Sequence, residues 1–148
     1  MADTASITSE RSFGDRPLRI AALILSLLGI GVAGYLTYVH YADTRIACPT
    51  GGCETVQSSS FAFLGPVPVA LLGLLAYLAI LASLLLPPET RWTVVLATAL
   101  SGAIFSAYLF GVQAFELHAF CTWCLASDVV VTAVAAVATA SLLASERR

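Results

Sequence analysis

Four cysteines are the residues best equipped for chemistry in this 148-residue chain: Cys48 and Cys53, separated by a stretch with Pro49 and Gly51-Gly52, and Cys121 and Cys124, which enclose Thr122 and Trp123. Thiols in close pairs can exchange disulfides or hold a metal, and spacing helps to separate the two. In Cys121-Thr-Trp-Cys124 the sulfurs stand at i and i+3. On a helix these share one face with Cα atoms ~5 to 6 Å apart, inside the ~4.4 to 6.8 Å that a disulfide spans. Such a bond constrains almost nothing that the helix has not already fixed, so a purely structural role explains it poorly. A helix N-terminus also stabilises a thiolate, which favours Cys121 as an exchanging nucleophile. Pro49 and the glycine pair allow a tight reversal between Cys48 and Cys53. The small ring so closed would add little stability. The competing readings are a structural cross-link between loop and helix, and a four-cysteine zinc site. A loop Cys-x4-Cys lacks the rigid knuckle that zinc sites use, so no metal is expected. Which cysteines pair at rest stays open on spacing alone.

The elements that must position these sulfurs follow from composition. Hydrophobic residues make up 59% of the chain and charged residues 11%, with a formal charge of -2. That excludes an ordinary water-soluble globule and leaves no basic footprint for nucleic acid. A helix needs about 20 apolar residues to cross a hydrocarbon core of ~30 Å. Four stretches qualify: about 20–39, 67–86, 92–113 and 117–143. The second is entered through Pro66 and Pro68 and closed by Pro87-Pro88, and the fourth is interrupted only by Asp128. All seven basic residues are arginines; Arg11, Arg16, Arg19, Arg91, Arg147 and Arg148 fall on one side of these spans and Arg45 alone on the other. The positive-inside rule then predicts cytoplasmic termini and a cytoplasmic turn at 87–91, with the loops 40–66 and 114–118 outside. All four cysteines are thereby expected on the extracytoplasmic side, where disulfides persist. Residues 1–17 read as a disordered cytoplasmic tail, 18–143 as one four-helix membrane domain with an outer redox loop at 40–66, and 144–148 as a short cytoplasmic tail. The first span reads as an uncleaved anchor rather than a signal peptide.

Closing a dithiol releases two electrons, and a two-electron acceptor soluble in lipid is a quinone. Cys124 lies one helical turn deeper than Cys121, which suggests a relay with a wet end and a dry end. Tyr35, Tyr38, Tyr41, Phe115 and Phe120 read as an interfacial aromatic belt, with a quinone pocket wall as the alternative. Gly29, Ala33, Gly34, Gly102 and Ser106 supply small residues for close helix approach. Glu116, His118 and His40 read as solvated interfacial residues, of which His118 is the better candidate for moving protons. Asp128 follows Cys124 by four residues on the same helical face. An intramembrane acid there is a candidate proton donor to a reduced quinone, and otherwise a neutral acid hydrogen-bonded to Ser or Thr.

Over about residues 18–143 the chain resembles bacterial members of the vitamin K epoxide reductase family. The likeness rests on Cys48 and Cys53 after the first span, Cys53-Glu-Thr-Val-Gln-Ser-Ser59, Phe61-Ala-Phe-Leu-Gly-Pro-Val-Pro68-Val-Ala-Leu-Leu-Gly73, and Cys121-Thr-Trp-Cys124 at the outer end of the fourth helix. It implies an all-α integral membrane fold, with four transmembrane helices around a quinone pocket and the outer loop partly helical as a lid. By position, Cys48 would meet a partner protein, Cys53 would pass reducing equivalents to Cys121, and Cys124 would react with the quinone. The residues expected around the quinone, menaquinone or ubiquinone, are Cys124, Ser59, Asp128, Phe61 and Tyr35. The implied activity is oxidation of a periplasmic thioredoxin-fold protein of the DsbA type and reduction of the respiratory quinone pool, at a bacterial cytoplasmic membrane. Ending at Arg148, the chain is expected to use a separate thiol protein rather than a fused thioredoxin-like domain. The likeness departs at Asp128, where animal members carry a tyrosine, and implies no epoxide reduction. The competing reading is a non-catalytic tetraspan subunit whose cysteines form structural disulfides.

Overall fold

A chain this apolar must satisfy its backbone hydrogen bonds within each segment, and helices do so. The computed structural model, which describes the backbone of residues 2–147 and the side chains of residues 15–147, contains α1 (Ala2–Tyr41), a short α2 (Cys53–Ser58), α3 (Val69–Ser83), α4 (Pro88–Val112) and α5 (Thr122–Glu146). Three stretches, Asp15–Ala42, Pro88–Leu117 and Thr122–Glu146, are long and apolar enough to cross a membrane. The fourth, α3, is more apolar than these but has only 15 residues, about 22 Å of helix. The result is the all-α membrane bundle expected, with one short member.

α3 is shorter than the 67–86 span for two local reasons. Val67 and Pro68 are extended, pairing antiparallel with Leu64 and Phe63 across a two-residue turn. At the other end the N–H groups of Leu84, Leu85 and Leu86 fold back to carbonyls two to four residues earlier in a tight turn, and Pro87 has no N–H to prolong the helix. Two further boundaries differ from expectation. α4 begins at Pro88, where a missing N–H costs nothing, and it runs on through a π-helical turn, Gln113–Leu117. That turn ends on His118, whose φ of 48° is left-handed. Residues 117–121, expected in the last span, therefore belong to the end of the third span and to an extended connector. At the N-terminus, the segment expected as a disordered tail is helical from Ala2. Extending a helix that already exists needs no new nucleus.

The three long helices and α3 form a ring in which α1 packs on α3, α3 on α4, α4 on α5, and α5 back on α1. Small buried residues, among them Ala22, Ala33, Ala99 and Ala138, keep the axes close. Within the ring the Tyr77 side chain is buried, and its hydroxyl donates to the Ser127 carbonyl at 2.8 Å. Its ring lies flat on Gly29, where any Cβ would overlap it. At the end away from the cysteines, Asp15 ties α1 to α4. Its carboxylate accepts from Arg91 Nη1 at 2.9 Å and from Trp92 Nε1 at 2.6 Å, while Arg91 also donates to the Leu86 carbonyl. Gly29→Ala is expected to destabilise the bundle by about 1–3 kcal/mol through overpacking. Gly31→Ala, whose Cβ meets nothing within 4 Å, is expected to leave stability unchanged. Thermal unfolding of both variants in detergent checks this; equal transitions would mean that Tyr77 does not hold the α1–α3 contact.

Candidate functional site

The cysteine end is built on a loop laid against the connector that precedes α5. Trp123 Nε1 donates to the Ala47 carbonyl at 2.7 Å, and Ala47 N–H donates to the Tyr35 hydroxyl at 3.0 Å. The Tyr35 and Trp123 rings lie 4.8 Å apart. Three residues on, Thr50 Oγ1 donates to the Phe120 carbonyl at 3.1 Å and lies 2.9 Å from Thr122 Oγ1. Gly52 then passes so close to the Phe120 backbone that no side chain would fit. The consequence is that the disulfide ring lies directly on the residues around Cys121.

Within that ring Cys48 and Cys53 are bonded, with Cα atoms 5.8 Å apart. Spacing alone leaves the resting pairing open, and the bond found joins the two loop cysteines. Cys53 N–H points to Cys48 Sγ at 3.2 Å. Each pair holds one buried and one partly exposed sulfur. Cys53 and Cys121 are both 0% exposed and share a cluster with Val56, whereas Cys48 packs against its edge and is partly exposed.

Cys121 and Cys124 are free thiols. The sequence places both on a helix, but Cys121 is the extended N-cap of α5, and its Sγ accepts from Cys124 N–H at 3.3 Å. A capping sulfur replaces the usual capping oxygen and favours negative charge on itself. The Cys121 thiol is accordingly drawn down to about 7, by its hydrogen bond to the Cys124 thiol against the cost of burial, with help from Cys124 N–H. Two amides that sequence reasoning passed over complete the arrangement. Gln113 in the π turn is 2% exposed, and its Oε1 accepts from Cys121 N–H at 2.8 Å. Gln57 Nε2 donates to Cys124 Sγ at 3.5 Å from α2. Both carried a signal: Gln57 lies one turn beyond Cys53, and Gln113 ends an otherwise apolar span.

Beneath the loop is an apolar cavity of about 320 Å³ between α1, α3, α4 and α5, within the range of small-molecule pockets. Cys124 and Asp128 form part of its α5 wall, and Gln57, Ser59 and Phe61 part of its roof. The expected partly helical lid is thus present as α2 followed by a 3-10 turn, Ser60–Ala62. Ser59 is in the roof, yet its hydroxyl donates to the Val56 carbonyl at 2.7 Å and so closes the end of α2. Asp128 Oδ2 is buried with no hydrogen-bond partner among the described residues. Tyr35, expected at the quinone, is not part of the cavity wall; its hydroxyl and ring are committed to Ala47 and Trp123, so it holds the loop instead. Tyr38, Tyr41, Phe115 and Phe120 are exposed at the same end. Glu116 and His118 are also exposed, and His40 stacks edge-on with Tyr41 and Phe63.

Two cysteine pairs, one bonded at the rim and one free with Cys124 in the wall of an apolar cavity, set in a helical membrane bundle, define a class: membrane thiol–disulfide oxidoreductases. The chain matches the model of the vitamin K epoxide reductase family over residues 20–139. It belongs to that family, whose members exchange thiols and disulfides in the membrane and generally use a quinone. The low Cys121 value makes an expected outcome. Alkylation of Cys121 by a small neutral reagent should accelerate as pH rises through about 7. In Cys124→Ala, which removes the hydrogen-bonding thiol, the midpoint should move up toward the ordinary cysteine range of about 8.5. Alkylation rates followed by mass spectrometry over a pH series decide it, and an unmoved midpoint would rule out Cys124 as the cause.

Proposed function

We propose that this protein oxidises an extracytoplasmic thioredoxin-fold protein of the DsbA type and delivers the electrons to menaquinone or ubiquinone, so supporting disulfide formation. The observation that carries the reading is the arrangement of the sulfurs, with Cys48–Cys53 bonded at the rim, Cys121 free and buried beside Cys53, and Cys124 free in the cavity wall. It matches a molecule that has passed electrons inward and can accept more from outside. The arginine distribution supports cytoplasmic termini in a bacterial cytoplasmic membrane, with the cysteines on the opposite side.

Each transfer balances. A partner thiolate attacks Cys48 Sγ and breaks the Cys48–Cys53 bond. The partner's second thiol then attacks the mixed disulfide, leaving two electrons and two protons on Cys48 and Cys53. With Cys121 and Cys124 bonded to each other, Cys53 attacks Cys121 and Cys124 leaves as a thiolate, stabilised by the Gln57 amide. Attack by Cys48 on Cys53 restores the rim bond and releases Cys121. In that state the rim pair is bonded and Cys121 and Cys124 are free. A quinone supplies the two-electron, two-proton acceptor that allows Cys121 and Cys124 to close again. The apolar cavity and the orphaned Asp128 oxygen fit such a ring: the walls exclude water, and Asp128, one turn below Cys124, is placed to donate a proton. Poise supports this direction for such a partner, since a DsbA-type disulfide at about -120 mV can be regenerated only by a stronger oxidant.

The test is anaerobic quinone reduction by the purified protein in detergent, driven by a reduced DsbA-type protein, with Cys124→Ala as control. Turnover lost in the control is expected. Absence of turnover with every quinone, together with cysteines that stay bonded under mild reductant, would instead indicate structural disulfides. Cys124→Ala should also accumulate a Cys53–Cys121 bond, because Cys121 can displace Cys48 from Cys53 and the Cys124 sulfur that would resolve the bond at Cys121 is gone, leaving only return by Cys48. Thiol mapping that finds both free would contradict the relay. Asp128→Asn is expected to slow quinone reduction on the order of a hundredfold, as loss of a general acid does, while rim exchange with the partner continues. Unchanged turnover across a pH series would remove Asp128 from the proton path.

A further inference from the structure

At the end away from the cysteines, the early stop of α3 at Ser83 leaves a wedge between α1 and α3. It is a groove of about 580 Å³, separate from the quinone cavity. Ile20 and Leu23 line it from α1, and Leu78 and Leu85 from α3 and the turn after it. All four are exposed, Leu85 by 83%, so the groove opens to the surroundings of the bundle. Arg16 and Arg19 stand at its head. Positions 16, 19, 20 and 23 recur at three- and four-residue spacing and share one helical face. Two guanidinium groups and a hydrocarbon trough are therefore continuous.

The charges are available to a ligand. Arg19 Nη2 donates to the Leu84 carbonyl at 3.0 Å, which satisfies an acceptor freed where α3 ends and holds the guanidinium at the groove mouth. Its other N–H groups have no protein acceptor among the described residues. Asp15, the adjacent acid, is engaged by Arg91 and Trp92, and no ion pair to Arg16 or Arg19 occurs among the side chains of residues 15–147. We propose that the groove binds an anionic glycerophospholipid, with its phosphate on Arg16 and Arg19 and an acyl chain along Ile20, Leu23, Leu78 and Leu85. A second copy of the chain fits less well, since a two-fold contact on this face brings like charges together. A zwitterionic lipid carries its own cation and gains less from the arginines. The site lies at the end of the span, where lipid phosphates lie.

Titration of the purified protein in nonionic detergent with phosphatidylglycerol and with phosphatidylcholine of the same acyl chains, read by native mass spectrometry, tests the proposal. Phosphatidylglycerol is expected to bind more tightly by roughly thirtyfold, the effect of two basic residues near a phosphate. Arg16→Gln/Arg19→Gln should abolish that preference. Leu23→Trp, which fills the trough without changing charge, should weaken both lipids. Retention of the Cys48–Cys53 bond and of helicity shows that the variants are folded. Equal binding of the two lipids, or an unchanged preference in the arginine double variant, would overturn the proposal. So would displacement of phosphatidylglycerol by millimolar inorganic phosphate, which would mean an anion site without an acyl subsite, or a lipid-independent dimer through this face.

Discussion

The cysteine end depends on one contact: the backbone-close docking of residues 47–53 on residues 119–123. Its parts are small, the Trp123 indole on the Ala47 carbonyl, Thr50 on the Phe120 carbonyl, and the absence of a side chain at Gly52. Single hydrogen bonds of this kind contribute about 1 kcal/mol each. Their effect lies in what they exclude. With the loop seated, Cys53 and Cys121 share one dry cluster, and a thiolate formed there faces sulfur and amide groups rather than bulk water. Gly52 is the strictest element, because a side chain there would meet main-chain atoms that cannot step aside.

That docking requires the last helix to begin at Thr122, and its start is set from the neighbouring helix. The π turn at the end of α4 brings Gln113 under the connector, where its side chain accepts from Cys121 N–H and its carbonyl from Ala119 N–H. One residue thus terminates α4, shapes the reversal at His118 and aims the Cys121 backbone. A regular α-helical end would rotate the amide away. π turns are uncommon and tend to occur where a side chain must be re-aimed for a functional reason.

The bundle itself is asymmetric along its axis. At the arginine end Asp15, Arg91 and Trp92 close α1 onto α4 with charge-assisted bonds, a rigid anchorage that leaves α3 free to stop early. At the cysteine end the helices part around a cavity, and Asp128 faces it with an oxygen that has no partner among the described residues. Leaving such a group unpaired costs about 1–3 kcal/mol, a cost that packing alone would not retain.

Much of this was legible in the residues. Apolar runs bounded by prolines mark the spans, because only helices satisfy the backbone in lipid, and the two cysteine pairs fall on one side of those runs because spans alternate in direction. The family likeness carried by Cys53 to Gly73 and by Cys121-Thr-Trp-Cys124 agrees with the match over residues 20–139. What escaped were matters of a few residues. Hydropathy does not register that Leu84 to Leu86 turn rather than continue α3, that residues 117–121 leave the helix, or that a polar N-terminal segment prolongs α1. Tyr35 has the composition of a pocket wall, but its hydroxyl finds a backbone amide twelve residues away. The sequence alone determined the membrane class, the segments and the grouping of the sulfurs, since these follow from composition and spacing. Only the tertiary structure decided which sulfur caps α5, which amides face the thiols and which aromatic holds the loop. Those depend on groups distant in the chain meeting within hydrogen-bond reach, and no local pattern encodes such a meeting.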